Sequence, residues 1–247
     1  MNEKVFITGA SSGIGAALAI EYAKRGATLG ISARRSEKLQ GIAQQCKESG
    51  AADVFTYTLD VTDQDSSADT AKEFIAAANG IDIIIANAGV AYSDKISSGE
   101  ATQINQVFST NVLGVTNSII PFVPTMKENS SGKIVIISSI ASFRPIAFHG
   151  GYSASKSAVR MLADSWRMAL KKYNIQLTAI CPGFIVSEMT NENKFPMPFL
   201  LETEDAARKI VKAIDNGKKT YILPWQVKMI LYATRWVPTS LYYKIFF

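Results

Sequence analysis

Short apolar runs alternate with helical patterns from the beginning of the chain. Seven runs rich in β-branched residues predict strands, and they read KVFITG, TLGISAR, DVFTYTLDV, IDIIIANAG, GKIVIISS, IQLTAICPG and KTYILP. Several are nearly continuously apolar, as expected for a parallel sheet that is covered on both faces. Helical patterns between them include residues 16–25, 37–48 and 153–172. The alternation predicts an α/β fold with one doubly wound parallel sheet of about seven strands and helices on both faces.

The stretch 101–126 carries no charged residue and is long enough to raise the question of a membrane span. Eleven of its residues are Ser, Thr, Asn or Gln, among them Asn105, Asn111, Thr116 and Asn117. Hydrocarbon offers no partners for so many polar groups. We therefore expect a helix that is covered by protein on most sides and that could also form a subunit contact.

Nothing in the 247 residues divides the chain, since no repeat, low-complexity segment or shift in composition marks a boundary. A chain of this length can bury a sizeable core, so residues 1–247 are expected to form a single domain. Cys46 and Cys181 are too few for a disulfide framework, and the lone His149 excludes a site built on several histidines, so no metal site is expected. The chain enters a strand pattern at once without an apolar signal-peptide region, which favours a cytoplasmic location.

The net charge of +5 is concentrated at the carboxyl end. No acidic residue follows Asp215, whereas five basic residues do, namely Lys218, Lys219, Lys228, Arg235 and Lys244. The remainder is formally neutral, unlike the distributed basic surface of a nucleic-acid-binding protein. Residues 221–247 form a basic tail with eight aromatic residues, a composition typical of interfacial membrane segments. Packing of this tail against a lid or another subunit is favoured, and contact with the inner face of a membrane is the alternative.

A glycine-rich turn follows the first predicted strand and precedes a helical pattern. Glycine allows a tight turn and lets the backbone approach a pyrophosphate at the start of the helix. The spacing is G-x-x-x-G-x-G, and the candidate cofactor-binding residues are Gly9, Ser11, Ser12, Gly13, Ile14 and Gly15. Many tight turns use glycine, so the position between a strand and a helix is what favours a nucleotide site.

The end of the second predicted strand indicates which nucleotide is preferred. An NAD site would place Asp or Glu there for the ribose 2′-hydroxyl. The chain instead has Arg34 and Arg35, with no carboxylate before Glu37. A guanidinium suits a 2′-phosphate by charge and by its paired donors, so NADP(H) is preferred and NAD(H) stays possible. The competing interpretation is a solvated pair of arginines in a loop.

A possible catalytic pair opens a long helical pattern further along the chain. Tyr152 and Lys156 are four residues apart and therefore lie on one face of a helix. A tyrosine normally titrates near ~10, and a neighbouring ammonium would lower that pKa and favour acid–base work. Ser138 and Ser139 end the fifth predicted strand and offer a hydroxyl for a substrate oxygen.

In their order and spacing, these motifs make the chain resemble the short-chain dehydrogenase/reductase family over essentially its whole length. TGASSGIG resembles the cofactor turn of that family, and Tyr152 and Lys156 match its Tyr-x-x-x-Lys motif. The catalytic serine of the family usually precedes the tyrosine by thirteen residues, and this spacing selects Ser139. Further matches to cofactor-binding motifs are Asp60, Val61, Asn87, Ala88, Gly89, Pro182, Gly183, Ile185 and Ser187, the last standing where threonine is more usual.

The resemblance implies a Rossmann-type sheet and hydride transfer between nicotinamide and a carbonyl or alcohol carbon. Tyr152 would protonate the developing alkoxide, and Ser139 would hydrogen-bond the same oxygen. Lys156 would lower the pKa of Tyr152 and bind the nicotinamide ribose, and Tyr152 would also contact the cofactor. Asn111 would help to hold a water that links Lys156 to solvent. A homodimer or homotetramer is the implied assembly.

Substrate loops in such a fold lie beyond the carboxyl ends of the strands. Residues 184–200 are expected to form a substrate lid. The loops bring apolar side chains towards the site, and these are Phe143, Ile146, Phe148, Met189, Phe195, Met197 and Phe199. Such a lining favours an apolar or lipid-like carbonyl substrate, whereas packing of the lid onto the body is an equally weighted alternative. Two other functions stay open, namely a catalytically silent NADPH sensor and a membrane-associated binding protein.

Overall fold

The apolar runs form one sheet of seven parallel strands, which confirms the predicted fold class. The computed structural model describes residues 2–191, 197–234 and 237. The strands are β1 (Lys4–Thr8), β2 (Thr28–Ala33), β3 (Asp53–Thr58), β4 (Ile83–Ala86), β5 (Gly132–Ile137), β6 (Ile175–Pro182) and β7 (Thr220–Leu223). Their order is β3-β2-β1-β4-β5-β6-β7. Val5 of β1 pairs with Leu29 on one side and Ile83 on the other, so the direction of winding reverses there and opens a crevice at the carboxyl ends of β1 and β4.

Helices cover both faces of the sheet. They are α1 (Gly13–Ala23), α2 (Ser36–Glu48), α3 (Gln64–Ala78), α4 (Thr102–Phe108), α5 (Gly114–Ile119), α6 (Val123–Glu128), α7 (Gly150–Leu170), α8 (Glu188–Asn191), α9 (Thr203–Asp215) and α10 (Trp225–Thr234). Along β4, Ile83 and Ile85 pack in the core formed with α1, α2 and α9, and Ile84 packs in the core formed with α3, α5 and α7. The strands are apolar on both faces for this reason.

Asn87 follows β4 and forms hydrogen bonds with the end of β1 at the crevice. The Nδ2 of Asn87 donates to the carbonyl oxygens of Thr8 at 2.9 Å and Gly9 at 3.1 Å. The backbone nitrogens of Asn87 and Ala88 donate to Thr8 Oγ1 at 3.1 and 3.2 Å. A Cβ at position 15 would overlap both Asn87 Nδ2 and the Gly9 carbonyl. Gly15 is therefore required by this packing.

The uncharged stretch forms an interrupted helix. By length and composition Thr102–Glu128 could cross a membrane, and 39% of its most apolar window is buried. A π-helical turn at Ser109–Leu113 separates α4 from α5, and a 3₁₀ turn at Ile120–Phe122 separates α5 from α6. Val115 and Ile119 pack against the sheet, whereas Leu113 is exposed. The helix is covered on one face, not on most sides as expected, because only residues at helical spacing reach the sheet.

The basic tail is described only in part. β7 and α10 belong to its first half, and Trp225 at the start of α10 is 69% exposed. Arg144, from the loop after β5, donates from Nη2 to the carbonyl of Thr234 and, at 3.1 Å, to that of Val237. Residues 235–236 and 238–247, which include Arg235 and Lys244, lie outside the described residues.

Candidate active site

The crevice at the carboxyl ends of the strands is a cleft of about 450 Å³. It gathers motifs that are far apart in the sequence. Of the predicted site residues, those lining it are Gly9, Ser11, Ser12, Gly13, Ile14, Arg34, Arg35, Asp60, Val61, Asn87, Ala88, Gly89, Ser139, Tyr152, Lys156, Pro182, Gly183, Ile185 and Ser187. Gly15 and Asn111 are not among the lining residues, since both pack behind the walls of the cleft.

The glycine-rich turn forms one wall of the cleft. Gly9 and Gly13 have φ angles of +67° and +54°, in the left-handed region that favours glycine. Helix α1 starts at Gly13 and has no acidic residue in its first turn, so its positive end is available to an anion. A Cβ on Gly13 would come within 3.4 Å of the Ser187 Cβ. The glycine-rich turn and the segment after β6 that contains Ser187 therefore face each other across a narrow groove. A dinucleotide pyrophosphate fits these features.

Basic side chains lie at the end of β2. Arg35 donates from Nε to Ser11 Oγ at 3.3 Å, and from Nη2 to Ser11 Oγ at 3.1 Å and Ser12 Oγ at 2.8 Å. Its Nη1 contacts Glu188 Oε2 at 2.6 Å. The other oxygen of Glu188 accepts from Lys38. Lys38 and Glu188 were not predicted from the sequence, and no local motif indicates their contact.

The adenosine side of the cleft is bounded by Arg34 and Asp60. Arg34 Nη1 lies 3.8 Å from Asp60 Oδ2, and both side chains are about half exposed. The other oxygen of Asp60 accepts from the backbone nitrogen of Thr62 at 3.0 Å and from its hydroxyl at 2.9 Å. The carboxylate is thus oriented by its own turn.

Tyr152 and Lys156 lie one turn apart on α7, at the inner end of the cleft. Lys156 is buried, and its Nζ donates to the carbonyl of Ile137 at 3.0 Å. Burial lowers the pKa of this ammonium to about 8, because a cation loses hydration there. Desolvation raises the pKa of the Tyr152 phenol, and a hydrogen bond with Ser139 opposes the rise. Lys156 Nζ is held by the carbonyl of Ile137 and lies 5.8 Å from the centre of the Tyr152 ring, and a lowering of the Tyr152 pKa by this ammonium stays a prediction.

Asn111 sits in the π-helical turn and is fully buried. Its Nδ2 donates to the Val90 carbonyl at 2.9 Å and to Ser155 Oγ at 3.0 Å. Its Oδ1 accepts from the Val90 backbone nitrogen at 2.8 Å. The side chain therefore joins the loop after β4 to the helix that carries Tyr152. A water between Lys156 and solvent stays a prediction.

Asp94 caps the catalytic helix from a distant loop. Its two carboxylate oxygens accept from the Gly151 backbone nitrogen at 3.2 and 3.0 Å, and its own nitrogen donates to the Phe148 carbonyl at 2.6 Å. His149, at the cap position itself, makes no side-chain cap. Sequence reasoning missed Asp94, because the contact spans 57 residues.

The apolar residues predicted for the substrate side divide into two groups. Ile146 and Met189 line the cleft, together with Phe184, Val90 and His149. Four other predicted apolar residues that the structure describes do not line the cleft, namely Phe143, Phe148, Met197 and Phe199. The ring of Phe143 stacks on the Arg160 guanidinium at 4.5 Å, and Phe148 is 78% exposed. Phe195 lies outside the described residues.

In residues 2–191, 197–234 and 237, no group of three or more His, Cys, Asp or Glu side chains is placed to hold a metal ion. Cys181 lies fully buried beside the inner end of the cleft, and burial raises the pKa of its thiol to about 11. It therefore packs there as a small apolar side chain.

The sequence and the structure both have known relatives. A model of the short chain dehydrogenase family matches residues 3–196. An uncharacterized oxidoreductase of Myxococcus xanthus (strain DK1622) is 35% identical over 236 residues, which cover 96% of this chain and 93% of that protein. The 11-beta-hydroxysteroid dehydrogenase-like 2 of Arabidopsis thaliana is 33% identical over 234 residues, 92% of this chain and 75% of that protein. An alcohol dehydrogenase from the archaeon Thermococcus sibiricus, solved in complex with 5-hydroxy-NADP, has a TM-score of 0.80 at 25% identity and covers 90% of this chain and 96% of that one.

Proposed function

The chain belongs to the short-chain dehydrogenase/reductase family, and we propose that it is an NADP(H)-dependent enzyme that transfers a hydride between the nicotinamide and a carbonyl or secondary alcohol of an apolar substrate. Membership itself makes the chain an oxidoreductase with a fold that binds a nicotinamide cofactor. The observation that carries the proposal is the meeting of Tyr152, Ser139 and Lys156 in the same cleft as the glycine-rich turn. A protein that only senses a nucleotide has no use for that set.

In reduction, the bound cofactor would supply the hydride. The Tyr152 hydroxyl supplies the proton for the carbonyl oxygen as charge develops on it, and Ser139 donates a hydrogen bond to the same oxygen. Lys156, protonated below about pH 8, holds a positive charge at the inner end of the cleft and stabilises the phenolate left by proton transfer. Positioned acid catalysis of this kind contributes roughly 10²–10⁴-fold to the rate.

The preference for NADP(H) is supported by the residues at the end of β2. Arg35 presents its guanidinium beside the hydroxyls of Ser11 and Ser12, and Lys38 adds a second cation. A phosphate accepts from all of these groups, whereas a ribose hydroxyl would find no carboxylate from β2. Arg35→Ala should therefore weaken NADPH binding much more than NADH binding. Lys47→Ala, which removes an exposed cation from the same helix α2, is the matched control and should leave both affinities unchanged.

An apolar substrate is supported by the lining of the cleft beyond the catalytic groups. Ile146, Phe184 and Met189 contribute apolar surface there. The Arabidopsis relative is named for a hydroxysteroid dehydrogenase, which is consistent with a large apolar ligand. The affinity of such a pocket for its substrate increases with each apolar group that is buried. The value of kcat/KM should therefore rise with the chain length of the substrate.

The test is NADPH consumption with carbonyl substrates of graded chain length. Tyr152→Phe should abolish turnover while NADPH still binds, because the change removes only the proton donor. Tyr221→Phe, which alters a partly buried tyrosine of β7 outside the cleft, should keep full activity. Retention of most turnover in Tyr152→Phe would contradict the mechanism, and saturable NADPH binding without turnover on any carbonyl would favour the sensor.

For assembly and location, we propose a homodimer or homotetramer in the cytoplasm. The exposed Phe108, Leu113 and Ile120 on the outer side of the interrupted helix support a subunit contact. Light scattering after gel filtration tests the assembly, and a monomer at all concentrations would contradict it. Sedimentation with anionic vesicles tests the alternative of membrane contact through α10 and the residues after it, and lipid-dependent pelleting of the intact chain would favour that alternative.

A further inference from the structure

A carboxylate from α8 lies in the cation cluster at the end of β2. Glu188 opens the short helix α8, and its two oxygens contact Arg35 Nη1 at 2.6 Å and Lys38 Nζ at 2.5 Å. The contact with Arg35 joins residues 153 positions apart in the chain. This ion pair thus links the start of α8 to the opposite wall of the cleft.

The same contact occupies the donors that an anion needs. Arg35 points Nε and Nη2 at the hydroxyls of Ser11 and Ser12 and gives Nη1 to Glu188. Lys38, the second cation, also binds Glu188. A phosphate that enters the cluster must therefore take Nη1 of Arg35 and the ammonium of Lys38 away from the carboxylate, since two anions repel when they share these donors.

The segment that carries Glu188 lies beside the glycine-rich turn. Ser187, the preceding residue, faces Gly13, so the bridge from Glu188 to Arg35 lies at the edge of the groove. Thr190 holds this segment in a compact turn, because its Oγ1 accepts from the Ser187 nitrogen at 2.9 Å and donates to the Ile185 carbonyl at 2.8 Å. Glu188 thus projects from a locally ordered turn.

We propose that Glu188 determines cofactor specificity, as an internal anion that competes with the 2′-phosphate for Arg35 and Lys38. The inference rests on the proposed binding of NADP(H). The carboxylate holds the start of α8 beside α2 until a 2′-phosphate displaces it, and the displaced Glu188 side chain then leaves the cations to the phosphate. NADH carries no such phosphate and binds with the ion pair in place. Glu188 therefore weakens the binding of NADPH and brings the two cofactors closer in affinity.

The competition operates throughout the physiological pH range. The ammonium of Lys38 and the guanidinium of Arg35 hold the pKa of the Glu188 carboxyl at about 2. A carboxyl with a lowered pKa stays ionised above that value, so the ion pair is lost only in strong acid. Salt, by contrast, screens this exposed contact.

The experiment measures dissociation constants by isothermal titration with three probes: NADPH, NADH and adenosine 2′,5′-bisphosphate, which carries the phosphate without nicotinamide. Glu188→Gln and Glu188→Ala should bind NADPH and the bisphosphate about three- to tenfold more tightly than the wild type, since two exposed ion pairs no longer oppose them. NADH binding should change by less than about twofold, because its ribose does not compete for these cations. Glu37→Gln is the matched control, since it removes one negative charge from α2, forms no ion pair within the described residues and should leave all three constants unchanged.

The possible outcomes separate the role of Glu188 from the proposed cofactor. Equal tightening of NADPH and NADH in the Glu188 variants would overturn the competition, because a general opening of the lid would then explain the effect. Unchanged NADPH affinity in both variants, with tight binding to the wild type, would overturn the role of Glu188 and leave the proposed cofactor intact. Absence of NADPH binding in the wild type and in both variants would overturn the proposed cofactor as well.

Discussion

Removing the carboxylate of Asp94 should destabilise the protein and slow its turnover, because Asp94 caps the amino-terminal end of α7. The backbone nitrogen of Gly151 donates to both oxygens of Asp94, at 3.2 and 3.0 Å, and Tyr152 is the next residue along α7. Asp94→Ala leaves this nitrogen without its acceptor and removes a negative charge from the positive end of a 21-residue helix. Loss of a cap costs ~0.5–2 kcal/mol, and loss of the charge adds ~0.3–1 kcal/mol. We expect a fall of about 1–2 kcal/mol in the free energy of unfolding.

The catalytic effect follows from the position of the cap. A frayed first turn lets the Tyr152 hydroxyl leave its place beside Ser139, and misplacement of a reacting group by about 1 Å can cost ~10²-fold in rate. We expect kcat to fall roughly tenfold in Asp94→Ala, while the affinity for NADPH stays unchanged because Asp94 does not line the cleft. Urea denaturation and steady-state kinetics measure the two effects.

A second capped helix provides the control. Asp63 caps α3 in the same manner, since its Oδ1 accepts from the Ser66 nitrogen at 3.0 Å, but α3 carries no group that lines the cleft. Asp63→Ala should lower stability without lowering kcat. An unchanged urea midpoint in Asp94→Ala would refute the cap, and a kcat no lower than that of Asp63→Ala would refute its role in positioning Tyr152.

Three further results are expected. Because burial lowers the pKa of Lys156 to about 8, its ammonium loses the proton as pH rises through that value. Because Lys156 is expected to bind the nicotinamide ribose, the affinity for NADPH should fall between about pH 7 and about pH 9.5. The affinity of Lys156→Met should not change over this range, and an equally flat dependence of the wild-type affinity on pH would contradict this reasoning. Gly15→Ala should unfold the protein at lower urea than the wild type, since the new Cβ overlaps Asn87; an unchanged midpoint would mean that the turn yields. Arg144→Ala frees the carbonyl of Thr234 and should speed limited proteolysis after α10 without altering NADPH affinity, whereas an unchanged cleavage pattern would show that Arg144 does not hold this end.

The sheet was predictable because each strand carries its own signal. Helices cover both faces of β4, so Ile83 and Ile85 on one face and Ile84 on the other are all apolar. This apolar run can be recognised in the sequence without knowledge of the neighbouring strands. The residues of the glycine turn and of the Tyr-x-x-x-Lys pair were equally visible, because their chemistry depends on short spacings. The structure places them in one cleft.

Contacts between distant segments were beyond the sequence pattern. The bridge from Glu188 to Arg35 and the cap from Asp94 to Gly151 join loops whose paths depend on the finished fold. The pKa of Lys156 depends on burial, which no local spacing reports. The aromatic loop residues show the same limit, since Phe143 and Phe148 resemble pocket residues by composition but lie outside the cleft.

The π-helical turn at Ser109–Leu113 makes the length of this helix as important as its residues. Such a turn holds one residue more than an α-helical turn would, and it is typical of functional sites. Deleting one residue from Ser109–Leu113 would restore regular α-helix and leave the helical residues on either side in phase, because the π-turn accommodates its extra residue within a single turn. Only the side-chain directions inside the turn would change, and these set the contacts of Asn111 with Val90 and Ser155. In this segment a change in residue count would therefore disrupt the link from Asn111 to α7 while α4 and α5 keep their packing.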